Sequence, residues 1–276
     1  GAVVSRLFAF VTALALAGCG GSLQGTDDSP VEYSVSAAKN YDLGMKKIEE
    51  EEWLLAGKYF SFVKARFPYS KYATMAELRL ADAAFGMEAY AQAVDDYELF
   101  IKFHPTHRMV QNGYASFRIG ESYYKMLPDD WLLVPPSYEK DMGTTHDALR
   151  TLDAYLRKYP NSAFHPRAEK MRAQAAKQLA QHEWYVAEFY WKRKRPLGTV
   201  FRLRTLLDKY SGVGFDEEAL FRLGQAYTKV GRPEKARASW QELVKKFPSH
   251  PRARQAEEAL YALGPAPAPA PTPAPK

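Results

Sequence analysis

The sequence predicts an all-α fold, a right-handed superhelical solenoid of five helical hairpins, and two observations carry that prediction. The first is a recurring turn. Five times an amphipathic stretch ends in basic and aromatic residues: "KARFPYSKYA", "IKFHPTHRM", "LRKYPNSAFHPRA", "LDKYSGVGF" and "VKKFPSHPRA". The aromatics fall at Phe67, Phe103, Tyr159, Tyr210 and Phe247, with outer intervals of 36 and 37 residues and longer middle intervals of 56 and 51. The second observation is that small and large apolar residues recur at fixed offsets inside each period. A fixed period of this length means stacked units, each too small to bury its apolar face alone.

The last unit carries the tetratricopeptide (TPR) pattern almost completely, in Leu220, Leu223-Gly224, Tyr227, Ala236, Trp240 and Pro248. Gly224 and Ala236 are small where two antiparallel helices touch, Tyr227 and Trp240 fill the space beside that contact, and Pro248 stops the second helix. The first unit has the same frame in Leu43-Gly44, Ala56, Phe60 and Pro68, and the second in Leu80-Ala81, Ala93, Tyr97 and Pro105. In the third, Ile119-Gly120 and Tyr123 mark the first helix, but Ala148, Leu152 and Pro160 arrive sixteen residues late. The insert "PDDWLLVPPSYEKDMG" therefore projects as a loop, and its Trp131 and Pro135-Pro136 suit either a partner contact or an apolar plug. The fourth unit reads Val186-Ala187, Tyr190, Leu203 and Ser211, with its first helix extended backwards through "AEKMRAQAAKQLAQHEW".

The ends are of another kind. Leu7 to Ala17 form an apolar run behind Arg6, too short to span a bilayer and fitting a secretory signal. The following quartet Leu16-Ala17-Gly18-Cys19 resembles the lipobox of bacterial lipoproteins, which implies cleavage before Cys19, diacylglycerol on its sulfur and an acyl chain such as palmitate on the new amine. Several acyl chains make such an anchor effectively permanent. Gly20, where an aspartate would retain a lipoprotein, implies sorting to the outer membrane. Residues 264–276, "GPAPAPAPTPAPK", alternate Pro and Ala and suit a polyproline II spacer or tail. The expected organisation is a signal peptide at 1–18, a lipidated linker at 19–36, a solenoid at 37–263 with an insert at about 127–143, and the tail.

With one cysteine in 276 residues there is no intramolecular disulfide and no multi-cysteine metal site. A net charge of +6 is modest for this length. No HExxH, GxSxG, GxxxxGK[ST] or GxGxxG occurs, so no catalysis, cofactor or metal is expected. His104 and His107 lie in a helix-ending turn with no third ligand in reach of the pattern, which favours a turn role over metal binding.

A lipobox followed by five TPR units, with "HPTH" closing the second, "YPNS" the third and "YVAEFY" in the fourth, resembles the BamD (ComL) family of outer-membrane assembly lipoproteins from about Cys19 to Gly264. The resemblance implies a lipid-anchored scaffold facing the periplasm. It implies docking on the POTRA domains of the barrel subunit BamA beside the other Bam lipoproteins, and recognition of the C-terminal signal of unfolded outer-membrane proteins. An adaptor of envelope growth shares the fold, and a lipid-anchored peptidoglycan enzyme would need a carboxylate pair or metal in a cleft.

The TPR frame puts Tyr41, Met45 and Ile48, then Met75, Leu78 and Phe85, then Tyr114, Phe117 and Tyr124 on the concave face, with Asp82 and Glu121 beside them. Tyr41, Met45, Phe85, Tyr114, Phe117 and Tyr124 are the candidate peptide groove. The alternative is that these side chains pack on residues 30–40 or on one another. The second candidate surface is the basic segment "WKRKRPLGTVFRLR" of the fourth unit, where Arg195, Arg202 and Arg204 are the candidate partner contacts, Arg202 by its place after the "AEFY" segment. Charge there would speed encounter with an acidic partner; the alternative is an ordinary solvated helix end. Nucleic acid is not an expected partner of an exported, anchored chain.

Overall fold

The computed structural model describes residues 31–128 and 141–265. Cys19, the centre of the insert with Trp131, and most of the Pro-Ala tail lie outside the described residues. From Val35 onward the chain forms one unit.

Its helices are α1 (Ala37–Glu49), α2 (Trp53–Arg66), α3 (Lys71–Gly86), α4 (Tyr90–Phe103), α5 (Arg108–Gln111), α6 (Tyr114–Lys125), α7 (Gly143–Lys158), α8 (His165–Lys192), α9 (Pro196–Tyr210), α10 (Asp216–Val230), α11 (Pro233–Lys246) and α12 (Pro251–Ala262). No strand occurs among the described residues. Each long helix packs on the one before and the one after it, and α1 meets α3, α6 meets α8 and α10 meets α12. The pairs α1–α2, α3–α4, α6–α7, α8–α9 and α10–α11 are the five hairpins, whose first helices follow one another as the layers of a repeat solenoid do. α12 is a further helix that the five-hairpin prediction does not contain. Ala253 and Ala256, both buried, seat it on the last hairpin.

Inside each hairpin a small residue of the first helix lies under a large one of the second. A Cβ added to Gly44 would come within 2.6 Å of Phe60, one on Gly120 within 2.8 Å of Leu152, and one on Gly224 within 2.2 Å of the Trp240 indole. Ala56, Ala93, Ala148 and Ala236, the small residues of the second helices, are fully buried. The fourth hairpin uses Thr199 at this place, also fully buried, and its hydroxyl donates to the Ala187 carbonyl at 3.3 Å. That bond explains how a polar residue is tolerated at the tightest point of the crossing.

The recurring turn is a single backbone shape. Phe67, His104, Tyr159 and Phe247 end their helices at φ between −132 and −127 and ψ between 50 and 60. In the second unit the residue at this point is His104, so Phe103 belongs to the helix before it and points into solvent at 66% exposure. The aromatic register is therefore corrected by one residue there. Tyr210 departs as well: it is buried, and Ser211 leaves its helix extended at φ −61 and ψ 154. At the opposite ends of the hairpins, Glu51, Glu88, Lys194 and Gly231 have φ of 58, 60, 54 and 76. In these four hairpins one left-handed residue turns the chain from first to second helix, and of the four only the last uses glycine for it.

Two glycines give opposite expectations. Gly224→Ala forces a methyl against the Trp240 ring and should lower unfolding free energy by about 1–3 kcal/mol. Gly57, inside α2 with nothing within 4 Å of an added Cβ, should raise it by about 0.5–1 kcal/mol on change to Ala. Urea denaturation of the two variants checks both signs.

Candidate functional site

On the concave face of the first three hairpins, the structure brings the predicted aromatics together around a buried polar ladder. Arg79 Nη1 donates to Asp82 Oδ2 at 2.6 Å and its Nε to the Tyr41 hydroxyl at 3.3 Å. The hydroxyls of Tyr97 and Tyr114 donate to Asp82 Oδ1 at 2.5 and 2.7 Å. One unit further, Arg118 Nη1 donates to Glu121 Oε2 at 2.7 Å and its Nε to the Tyr97 hydroxyl at 3.1 Å, while Arg167 of α8 donates to the other Glu121 oxygen. Burial, and after it the Asp82 charge, pushes the Tyr97 and Tyr114 hydroxyls above the ordinary tyrosine range, so both remain donors. Burial opposes the Arg79 charge, but Asp82 and the Tyr41 hydroxyl more than offset it and its pKa is raised.

This ladder corrects part of the groove. Asp82 and Glu121 are buried at 6% and 3% exposure and already hold arginines, so they do not face a ligand as open carboxylates. Phe117, 1% exposed, is a core residue stacked on Phe164 at 4.8 Å and tilted against Tyr155 at 5.7 Å. The cause is the backward extension of α8, whose entry at Phe164 covers the ring. Tyr41 is likewise buried, packed on Phe60 and Tyr72 at 5.5 and 5.6 Å. Met45, Phe85, Tyr114 and Tyr124 stay half-buried. The Arg118 guanidinium lies 3.5 Å over Phe85, and the Tyr124 hydroxyl donates to Gln174. The face is thus aromatic and arginine-lined rather than aromatic and acidic. The residues that sequence reasoning passed over are Arg79, Arg118 and Arg167. A signal existed for two of them in the shared spacing of Arg79 to Asp82 and Arg118 to Glu121 at the same frame position.

The second surface lies where α8 ends and α9 begins. Lys192 to Arg195 are all exposed, and the Arg193 guanidinium stacks 3.6 Å over Phe189. Arg195 and Arg202 line a cavity of about 900 Å³ with Tyr190, Leu197, Phe201 and Lys229. Leu197 and Phe201 are 66% and 78% exposed, an unusual amount of apolar surface for two neighbouring turns of one helix. Arg204 is exposed, loosely paired with Asp208 at 3.8 Å, and lines the adjoining hollow of about 450 Å³. Arg202 differs from both. It is half-buried and pairs at 3.3 Å with Glu183, itself 8% exposed, so part of its charge is committed inside the protein.

The histidines of "HPTH" serve the turn. His104 Nε2 meets Glu77 at 2.6 Å, and His107 Nδ1 accepts from the Met109 amide at 3.2 Å as the N-cap of α5. No group of three or more His, Cys, Asp or Glu that could hold a metal occurs among the described residues, and no described helix is long and apolar enough to cross a membrane.

The fold is that of a tetratricopeptide-repeat protein, with an aromatic, arginine-lined concave face and, apart from it, an apolar cavity with a basic rim at the α8–α9 turn. Residues 34–243 match the outer membrane lipoprotein family YfiO, and the chain belongs to that family. It is 26% identical to the outer membrane protein assembly factor BamD of Caulobacter vibrioides over 87% of this chain and 75% of that protein. It is 25% identical to BamD of Neisseria meningitidis serogroup A over 86% of this chain and 89% of that one. Among solved structures, the TPR2AB domain of yeast Sti1 aligns at 15% identity with a TM-score of 0.38, covering 82% of this chain and 83% of that one.

Core and surface positions of the groove should separate on mutation. Phe117→Ala should cost about 3–5 kcal/mol of stability as a large buried ring, and Tyr124→Ala less than about 1 kcal/mol. Urea midpoints of the two variants measure the difference.

Proposed function

We propose that this chain is a lipoprotein of the outer-membrane β-barrel assembly machinery, attached through a lipidated Cys19 to the inner leaflet of the outer membrane and facing the periplasm. It scaffolds a BamA-like barrel subunit through that subunit's POTRA domains, beside the other lipoproteins of the complex, and takes up segments of unfolded outer-membrane proteins. Its role is binding, without catalysis or a cofactor. Membership of the YfiO family and the relatives named as assembly factors support this reading.

The observation that carries the docking half is the cavity at the α8–α9 turn. Exposed Leu197 and Phe201 supply an apolar centre, and Arg195, Arg204 and Lys229 a basic rim. An apolar centre inside a charged rim is the anatomy of a specific interface, where the centre holds the partner and the rim sets encounter rate and orientation. Arg202 belongs to the same cavity but also neutralises Glu183, so reversing it disturbs the fold as well as the surface. The cleaner test is Arg195→Glu combined with Phe201→Ala. The barrel subunit should no longer co-purify from envelope membranes while the helical signal and urea midpoint stay at the parent values; full retention of the complex would refute docking here.

For the substrate half, Phe85, Tyr114 and Tyr124 with Met45 offer half-buried apolar area, and beside it Arg118 and Arg167, already paired with Glu121, lie over the rings of Phe85 and Phe117. An extended segment ending in an aromatic residue can bury its side chain among such rings. Phe85→Ala with Tyr124→Ala should weaken binding of an aromatic-ended peptide by at least about fivefold, the size of one significant interface contact, in a fluorescence polarisation titration. Unchanged affinity would remove this face from substrate binding.

A further inference from the structure

The basic-aromatic turns that reveal the repeat lie on a single edge of the solenoid, and neither proposed binding face uses them. Each follows the second helix of a hairpin and precedes the next first helix: α2 to α3, α4 to α6, α7 to α8, α9 to α10 and α11 to α12. Because consecutive helices are antiparallel, these turns come out on the same side. Arg66, Lys102, Arg108, Arg157, Lys158 and Lys245 are exposed there, and none of them pairs with a carboxylate among the described residues. Several carboxylates of this edge are engaged with its own cations: Glu77 with Lys64 and His104, Glu169 with His165, Glu218 with Arg252 and Glu242 with Lys246. The α9–α10 turn differs from the other four in being locally acidic, with Asp216 accepting from the Gly212 amide and Glu217 beside it. Between the cations stand two protruding rings, Tyr69, fully exposed, and Phe103 at 66% exposure. The opposite edge is different. It changes sign along its length, from Glu49–Glu52 in the first hairpin to Lys192–Arg195 in the fourth.

From this arrangement we infer that the turn edge is a membrane-facing surface that lies against anionic phospholipid headgroups. Cations that converge on one cavity fit a single acidic group, whereas these are set one repeat apart along the molecule. That spacing fits a surface whose negative charge is spread in two dimensions. Exposed aromatic rings among lysines and arginines are the side-chain mixture that settles at a headgroup boundary, the ring at the acyl border and the cation among phosphates. The edge is also where the chain enters the solenoid, at the Ser36 cap of α1, eighteen residues before Ala37 in the sequence being Cys19. Contact of this edge with the leaflet would orient the scaffold, which a lipid tether alone does not do. The inference goes beyond the proposed function and does not require that Cys19 be lipidated.

The test uses the full chain carrying Cys19→Ser, so that no acyl anchor contributes, in co-sedimentation with vesicles of phosphatidylethanolamine and phosphatidylglycerol. The chain should bind these vesicles, release at raised salt and ignore vesicles of pure phosphatidylcholine. Losing Arg66, Lys102 and Arg157 to alanine should weaken partitioning by about a hundredfold, at about fivefold per charge. The same number of charges removed from the other edge, by Lys192→Ala, Arg193→Ala and Arg195→Ala, should leave it near the parent value. Equal binding to both vesicle types, or equal loss in the two triple variants, overturns the inference. Binding of soluble polyglutamate as tight as that of the vesicles overturns it in favour of an acidic protein partner.

Discussion

The structure depends on one steric constraint, the close crossing of the two helices in each hairpin. Where a Cβ on Gly224 would stand 2.2 Å from the Trp240 indole and one on Gly44 2.6 Å from Phe60, the helices meet at a distance that only hydrogen allows without a shift. The large side chain of the second helix then lies against the small residue and fills the core of that unit. Once the crossing is set, the rest of the hairpin follows with little freedom. One left-handed residue returns the chain at Glu51, Glu88, Lys194 or Gly231, and one nearly invariant helix end at Phe67, His104, Tyr159 or Phe247 passes it to the next unit.

Stacking hairpins built this way leaves the first helices side by side on the concave face, where polar groups of neighbouring units can reach each other. Asp82 of the second hairpin takes hydroxyls from Tyr97 and Tyr114 and a guanidinium from Arg79, and Tyr97 in turn accepts from Arg118. Arg118 and Arg167 then share Glu121. A ladder of this kind holds successive units in register, because every carboxylate it buries must be fully paired. Further along, Arg222 reaches back to Glu188 at 3.4 Å and lies 4.7 Å over Trp191, joining the fifth hairpin to the fourth by similar means. The face that remains for ligands is whatever this ladder leaves uncovered, which is why it is rich in ring faces and arginine stems and poor in open carboxylate.

Much of this was legible in the chain. Small-residue spacing placed all five crossings, including the late second helix of the third unit and the long α8, because those positions tolerate few residue types and repeat. The candidate site was less legible. Phe117 and Tyr41 read as groove residues from the frame, yet Phe164 and Tyr72, which arrive from the next unit, cover them. A frame position states which way a side chain leaves its own helix. It says nothing of what a neighbouring helix lays on top. Asp82 and Glu121 failed for the same reason, since their partners come from α4, α6 and α8 as well as from their own turn. Sequence reasoning does not single out Leu197 and Phe201 within the basic segment, and only the gap between α9 and the end of α10 leaves them in solvent as an apolar centre.

By itself, then, the sequence determined the ten helices of the five hairpins, their crossings and the basic-aromatic turns, though neither the short α5 nor α12, since each of these features rests on contacts made within about one repeat length. Tertiary structure decided which concave residues are core and which are surface, that Arg202 is partly committed to Glu183, and that scattered turn motifs form one charged edge. Those outcomes depend on how successive repeats stack. A local pattern can specify a helix and its partner in the same hairpin, but the exposure of a side chain in a solenoid is set by the next hairpin along.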